Sequence, residues 1–387
     1  MDFLNRWSKK LGRKFEKGRT LYPFRALYDA IDTFLLTPAT VTEGGSHIRD
    51  AVDMKRIMIT VMIALFPPLL FGLWNIGYQH FLSQGIESTL FQCFWYGFLK
   101  WLPMVLVVYV VGLTIEIIFA QKRKHEVAEG FFVTGFIIPM IMPPELPLWI
   151  LAIATAFSVL FAKEVFGGTG YNFLNPALVA RAFVFFAYPS VISGDTVWIA
   201  EQADAVSGAT ALGLLMNGSV DSLPSIAEMC IGTIPGSIGE TSKIAIALGA
   251  CILLFTQVGS WRIMLSVIVG GLAMGSLFNV LGITPAMSIP AYEQLLMGGF
   301  LFGAVYMATD PVTATHTQSG KFIYGFLIGA LAIVIRVLNK GYPEGMMLSI
   351  LLMNIFAPLI DYAVIQQNIR RRKRRAARSL STQNLKQ

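Results

Sequence analysis

Ile57 to Ile76 reads IMITVMIALFPPLLFGLWNI, and no residue in it is charged. As a helix, such a run is about 30 Å long, the thickness of a bilayer's hydrocarbon core. Trp101 to Ile115 repeats the pattern until Glu116 interrupts it, and Ile263 to Ile283 repeats it again. Of the 387 residues, 55% are hydrophobic and only 14% are charged, too few to cover the surface of a soluble domain of this size. A water-soluble fold is excluded. The first apolar run begins beyond residue 50 and is too long for the core of a secretory leader, so no cleaved signal is expected.

Cys93, Cys230 and Cys251 are far apart and form no CxxC pair. His47, His80, His125 and His316 have no ligand spacing either. The chain is therefore expected to supply no complete zinc or iron–sulfur site of its own.

Hydropathy and Gly/Pro punctuation predict an all-α polytopic membrane protein of about ten transmembrane helices. The expected spans are 57–76, 101–120, 127–142, 146–162, 176–192, 242–257, 263–283, 292–308, 322–338 and 345–365. Residues 1–56 carry eleven Lys or Arg, and Arg370 to Lys386 carry eight. Lys122, Arg123, Lys124, Lys163, Arg262 and Lys321 are counted in alternate loops on that same side. Lys100, Lys243, Arg336 and Lys340 fall opposite. The positive-inside rule then puts both termini in the cytoplasm, which requires an even number of spans. The run Arg370 to Arg375 is read as an anchor on anionic lipid beside the last span, not as a nucleic-acid site.

Five helices per half would give the halves opposite orientations, the inverted-repeat plan of many transport proteins. Gly130-Phe131 opens a span ending at Pro143-Pro144, and Gly299-Phe300 opens one ending at Asp310-Pro311. The expected organisation is a basic cytoplasmic segment (1–55), a first membrane half (56–192), an outer, periplasmic loop (193–241), a second half (242–365) and a basic cytoplasmic tail (366–387).

The 193–241 loop contains no Lys or Arg, so it is expected to face outward. It holds Asp204-Ala205-Val206-Ser207-Gly208-Ala209-Thr210-Ala211-Leu212. Ser207, Gly208 and Ala209 are slim enough to let a bulky group approach the Thr210 hydroxyl, and Asp204 could orient it. Taken alone, the motif reads more readily as an N-capped turn before a short Ala/Leu helix.

Asp-x-x-Ser-Gly-Ala-Thr resembles the flavinylation motif of the Na+-translocating NADH:quinone reductase and the related Rnf complexes. The chain is similar to the B-type membrane subunits of the former at Arg123 to Val127, Glu129 to Val133, Ala162 to Gly170, Asn172 to Leu178, Ile234 to Glu240, Met307 to Val312 and Tyr342 to Met347. The resemblance runs from about Leu21 to Arg371. It implies a urea-transporter-like fold in a bacterial inner membrane. It also implies FMN joined by a phosphoester to Thr210, where an extracytoplasmic transferase cleaves FAD; charge counting puts Thr210 on that side independently. A noncovalent riboflavin and ubiquinone as substrate are further implications. The implied partners are an NADH-oxidising flavoprotein, a second subunit with covalent FMN and small membrane subunits, with electron transfer to quinone coupled to Na+ movement.

For the riboflavin, Gly167 to Pro176 is the candidate segment. Its glycines, Gly168 among them, permit close backbone approach, and Asn172 and Asn175 could bond a flavin's polar edge. Arg181 follows in the next span, where an arginine needs a partner; it could stabilise a reduced flavin or pair with Glu164. Gly112 and Glu116 share one helix face, a notch above a carboxylate that could admit a quinone head or an ion. The family tends to show two adjacent glycines there, and this chain has Gly112-Leu113. Glu116, Asp310 and Asp361 are candidates for the cation path, since carboxylate oxygens suit Na+. Two rival readings are an RnfD-type subunit, which shares the threonine motif, and a passive channel for a small neutral solute. Flavin bound to the denatured chain would exclude the channel.

Overall fold

The computed structural model describes residues 53–123, 130–192, 194, 197–201, 208–219, 222–339 and 341–384, with short pieces before residue 53. Asp204 and Ser207 lie outside the described residues. Among the described residues the fold is all helical, with no strand.

Chain contacts divide the molecule into two compact units. The first holds α1 (Met54–Ser83), α2 (Leu90–Arg123), α3 (Gly130–Ile141), α4 (Leu148–Ser158), α5 (Pro176–Ala187) and α6 (Lys243–Phe255). Sequence order counts α6 with the second half; by packing it belongs to this unit, against α1. The helix α2 shows why these segments associate. Its buried residues are Cys93, Gly97, Trp101, Met104, Val108, Gly112, Glu116 and Ala120, one stripe at three- and four-residue spacing. Its other faces expose Leu99, Leu106, Val110 and Ile118. A helix apolar all round with a stripe of small residues suits lipid outside and close helix contact inside. A methyl group on Gly97 would collide with the Leu73 carbonyl of α1, and one on Gly77 with the Cys93 carbonyl of α2. Both glycines are needed for that approach.

The second unit holds α7 (Trp261–Leu281), α8 (Gln318–Leu338) and α9 (Met346–Asn384), with the segment Phe173–Asn175 and the short helix Ala211–Met216. Gly270 of α7 lies against the Phe326 carbonyl of α8, and Gly329 of α8 against the Val267 carbonyl of α7, the same device used twice.

Among the described residues six helices are long and apolar enough to cross a membrane alone: α1, α2, α4 extended to Phe166, α7, α8, and α9 as far as Ala377. Helices α3, α5 and α6 are shorter apolar helices. The span expected at 292–308 is not one helix. It breaks into Ala291–Leu296, an extended Met297, Gly298 at φ +59°, and Phe300–Phe302 running into a π turn at Gly303–Met307. Hydropathy sees only that the stretch is apolar. The break is sustained by Arg336 of α8, which is fully buried and donates to the carbonyls of Gln294, Met297 and Pro343. Carbonyls freed from a helix at membrane depth need such donors. Arg336, counted from sequence among the charges on the side opposite the termini, is an interior donor.

Candidate functional site

In the first unit, Gly112 and Glu116 lie one turn apart on the buried stripe of α2. The notch above Glu116 is not open. A methyl group on Gly112 would collide with Cζ of Phe131, so the tip of that ring is inserted beside the glycine. Phe131 belongs to the first turn of α3 and is fully buried. Tyr109 meets it edge-on, with ring centroids 6.0 Å apart, and Gly135 passes so close that an added Cβ would lie 3.1 Å from the ring.

Helix α4 widens into a π turn, Val159–Lys163, and then a tighter turn, Glu164–Phe166. Lys163, counted from sequence as a loop charge, is 3% exposed and forms an ion pair with Glu116, itself 3% exposed. Its ammonium also lies 5.7 Å from the centre of the Phe131 ring. Charge counting misses this partner because a lysine at the end of an apolar run reads as a topology signal. The next residue, Glu164, bonds Arg123 at 2.9 Å. Arg181 therefore does not take Glu164: its guanidinium meets Glu240 at 2.6 Å. Glu240 comes within reach because the end of the long loop folds back into the unit. Asn75 of α1 donates to the Ile234 carbonyl, Gly239 donates to the Met140 carbonyl at 2.8 Å, and Gly72 abuts the Ile238 carbonyl.

After this turn come Gly167, Gly168 and Gly170 at φ +128°, +96° and +94°, a backbone region L side chains rarely adopt. Asn172 accepts from the Gly170 amide at 3.3 Å. Thr169 Oγ1, within this loop, is buried and makes no hydrogen bond among the described residues.

In the second unit, the buried Asn175, Thr313, Tyr324 and Asn354 and the half-buried Asp310 form a polar group. Asn175 Nδ2 donates to Asp310 Oδ2 at 3.4 Å, and Thr313 Oγ1 donates to the same oxygen at 3.1 Å. Asp310 Oδ1 accepts from the Val312 amide at 3.0 Å, which fixes the turn after the broken segment. The Tyr324 hydroxyl and the Asn354 side-chain amide are 2.6 Å apart. Asp361 accepts three hydrogen bonds, from the His316 amide (2.7 Å), the Thr317 amide (3.0 Å) and the Thr317 hydroxyl (2.6 Å). It thereby holds the start of α8, where Thr317 is the N-cap.

Thr210 is half-buried and immediately precedes the helix Ala211–Met216, the N-cap position that its sequence context also allows. Gly208 is buried and Ala209 half-buried before it. A further network lies at the opposite end of α2 from Glu116. Lys100 bonds Glu201 at 2.8 Å and Glu145 at 3.4 Å, and the Tyr96 hydroxyl donates to Glu201 at 3.0 Å. Glu201 has φ +48° and gives its own amide to Glu145, while His80 stacks on Tyr96 and contacts the Ala200 carbonyl. Glu201 stands outside the spans. Hydrogen bonds from Lys100 and then Tyr96 hold its carboxyl below the ordinary value.

These features define a multi-span helical membrane protein that keeps charged side chains paired inside its helix packing. The model of the NQR2, RnfD, RnfE family matches residues 41–370. The chain belongs to that family. It is 46% identical over 392 residues to the B-type subunit of the Na(+)-translocating NADH-quinone reductase of Azotobacter vinelandii, covering 94% of this chain and 97% of that protein. The like-named protein of Klebsiella pneumoniae is 45% identical over 406 residues, covering 95% and 98%. That of Chromohalobacter salexigens is 46% identical over 394 residues, covering 95% of each.

Proposed function

We propose that this chain is the B-type membrane subunit of a Na+-translocating NADH:quinone oxidoreductase in a bacterial inner membrane, with both termini cytoplasmic. The observation that carries the reading is the Asp204-x-x-Ser207-Gly208-Ala209-Thr210 motif within a full-length match to relatives bearing that name. The partners are the other subunits of the complex, and the substrate at this chain is ubiquinone. In this reading the organisation is two five-helix repeats flanking the loop at 193–241.

Thr210 offers its hydroxyl as the phosphoester anchor of FMN, and Gly208 and Ala209 leave room beside it. Two features support the glycine loop as the place of the family's riboflavin: Thr169 Oγ1 has no hydrogen-bond partner among the described residues, and left-handed glycines admit a ligand against the backbone. Gly168 and Asn172 are the proposed contacts, with Arg181 as a charge of the same unit; Asn175 is the remaining candidate of that stretch. Bound flavins supply the one- and two-electron chemistry that no side chain here can perform. Gly112 and Glu116 form the quinone region. Glu116, Asp310 and Asp361 are the proposed cation contacts, and Asp361 combines this with its hold on α8.

Mass spectrometry of the peptide spanning Ser207 to Leu212 should find an FMN adduct on Thr210. Thr210→Val should abolish the in-gel flavin fluorescence of this subunit while the complex still assembles. A colourless wild-type peptide would refute the assignment.

A further inference from the structure

Three main-chain carbonyls of the second unit converge on one guanidinium. Gln294 lies in the last turn of the half-helix Ala291–Leu296, and Met297 is the extended residue that follows it. Pro343 belongs to the Tyr342 to Met347 stretch that leads into α9. Arg336 Nε donates to the Pro343 carbonyl at 3.2 Å, Nη2 to that of Met297 at 3.2 Å, and Nη1 to that of Gln294. Gln294 is itself fully buried, and its side-chain Oε1 has no hydrogen-bond partner among the described residues. Glu344 stands next to Pro343, its carboxylate accepting from the Tyr342 hydroxyl at 3.1 Å. All of these residues belong to the second unit. The setting is rich in oxygen and negative partial charge: the carboxyl end of a helix, an unwound residue and a turn.

Unwound carbonyls at membrane depth are what transport proteins use to hold sodium. Here the chain's own cation fills the place. Satisfying three carbonyls needs only a donor, and an uncharged amide can donate without the cost of burying a full charge. What the guanidinium adds is repulsion, since a fixed positive charge in such a cage keeps a mobile cation out of it. We propose that the break in the second unit is a latent site for a small monovalent cation, and that Arg336 is the tethered cation that keeps it closed to ions. The inference rests on the sodium-moving reading above for its purpose: a complex that builds a sodium gradient loses it through any such leak.

The test is the release of radioactive sodium from sealed proteoliposomes holding the whole purified complex, with neither NADH nor quinone added. Wild-type vesicles should hold their sodium. Arg336→Gln keeps amide donors and loses the charge, and should release sodium about tenfold faster, with Arg336→Ala at least as fast. Labelled choline, too large for the cage, should leave both variants at the wild-type rate. Arg336→Lys keeps the charge and should stay tight, although one ammonium cannot span three carbonyls as the guanidinium fork does. Subunit composition and covalent flavin fluorescence identify the assembled complexes. Arg336→Gln vesicles as tight as wild type make Arg336 a hydrogen-bond donor and nothing more, which overturns the barrier. Sodium and choline released together mean a damaged fold and not an opened site, and overturn it as well. If neither neutral variant assembles, Arg336→Lys decides: tight vesicles uphold a barrier of charge, and leaking ones remove it. A wild-type complex that accumulates no sodium when NADH and quinone are supplied refutes the functional reading instead, because the passive leak is measured without them.

Discussion

Helix α2 carries the same chemistry twice, a lysine with carboxylates, in two opposite settings. Near one end Lys100, 27% exposed, meets Glu145 at 38% and Glu201 at 59%. Sixteen residues further on, about 24 Å along the helix, Glu116 meets Lys163 with both 3% exposed. Water screens the first set, so each contact there contributes about 0–1 kcal/mol. The second has given up its hydration, and its attraction does little more than offset that cost. The exposed network is a fastening. The buried pair contributes little net stability while intact, yet breaking it is severe, which suits a charge that must be replaced and never merely lost.

The largest expected effect tests that difference. Lys163→Met should destabilise the first unit by about 3–5 kcal/mol, because it leaves the Glu116 carboxylate buried without its ammonium. The double variant Glu116→Gln/Lys163→Met should recover most of the loss. The apparent Tm of the detergent-solubilised complex, followed by fluorescence-detected gel filtration, reads both. A double variant as unstable as the single one would mean that packing, not charge, holds this site.

The two regions also differ in how far they can be read from residues alone. The Gly112-to-Glu116 spacing and the apolar length of α2 are visible in the chain, because a helix repeats every 3.6 residues. Lys163 reads as a loop charge, since only the π turn at Val159–Lys163 brings it inward, and hydropathy carries no trace of such a turn. Arg181 needs a partner, but nearness in sequence points to Glu164, 17 residues away. The true partner, Glu240, is 59 residues on, in a Gly/Ser-rich stretch that reads as surface loop and instead folds back against α1 and α3. The open notch expected at Gly112 is closed by Phe131, because nothing in the sequence says which side chain a glycine on a neighbouring helix receives. Arg336 and the broken segment escape sequence reading together. An apolar run conceals its own interruption until the donor that sustains it is seen.

A smaller effect lies between the two extremes of α2. Gly97→Ala adds a methyl where the Leu73 carbonyl already sits, and should cost about 1–3 kcal/mol by forcing α1 and α2 apart. It sharpens the comparison because Gly97 lies close to Lys100 in the chain and far from Glu116. If the variant lowers Tm while quinone KM stays near the wild-type value, the two ends of α2 are mechanically separate. A raised KM would show that the buried pair depends on the spacing set at the exposed end.

The smallest expected effect is at Glu201. Glu201→Gln should change stability by no more than about 0.5 kcal/mol, and less at high salt, as exposed pairs do. Its pH dependence has a definite sign. The folded-state pKa is depressed by Lys100 and Tyr96, so the stabilisation is complete above the ordinary glutamate value of about 4.3 and is lost as pH falls through the depressed value. The difference in Tm between wild type and Glu201→Gln should therefore be constant at neutral pH and shrink only on the acid side. Its insensitivity to salt, or a loss as large as that of Lys163→Met, would show that the φ +48° backbone of Glu201 is under strain that the network restrains. The outer end of α2 would then be a second stressed site, and the contrast with Glu116–Lys163 would no longer rest on burial alone.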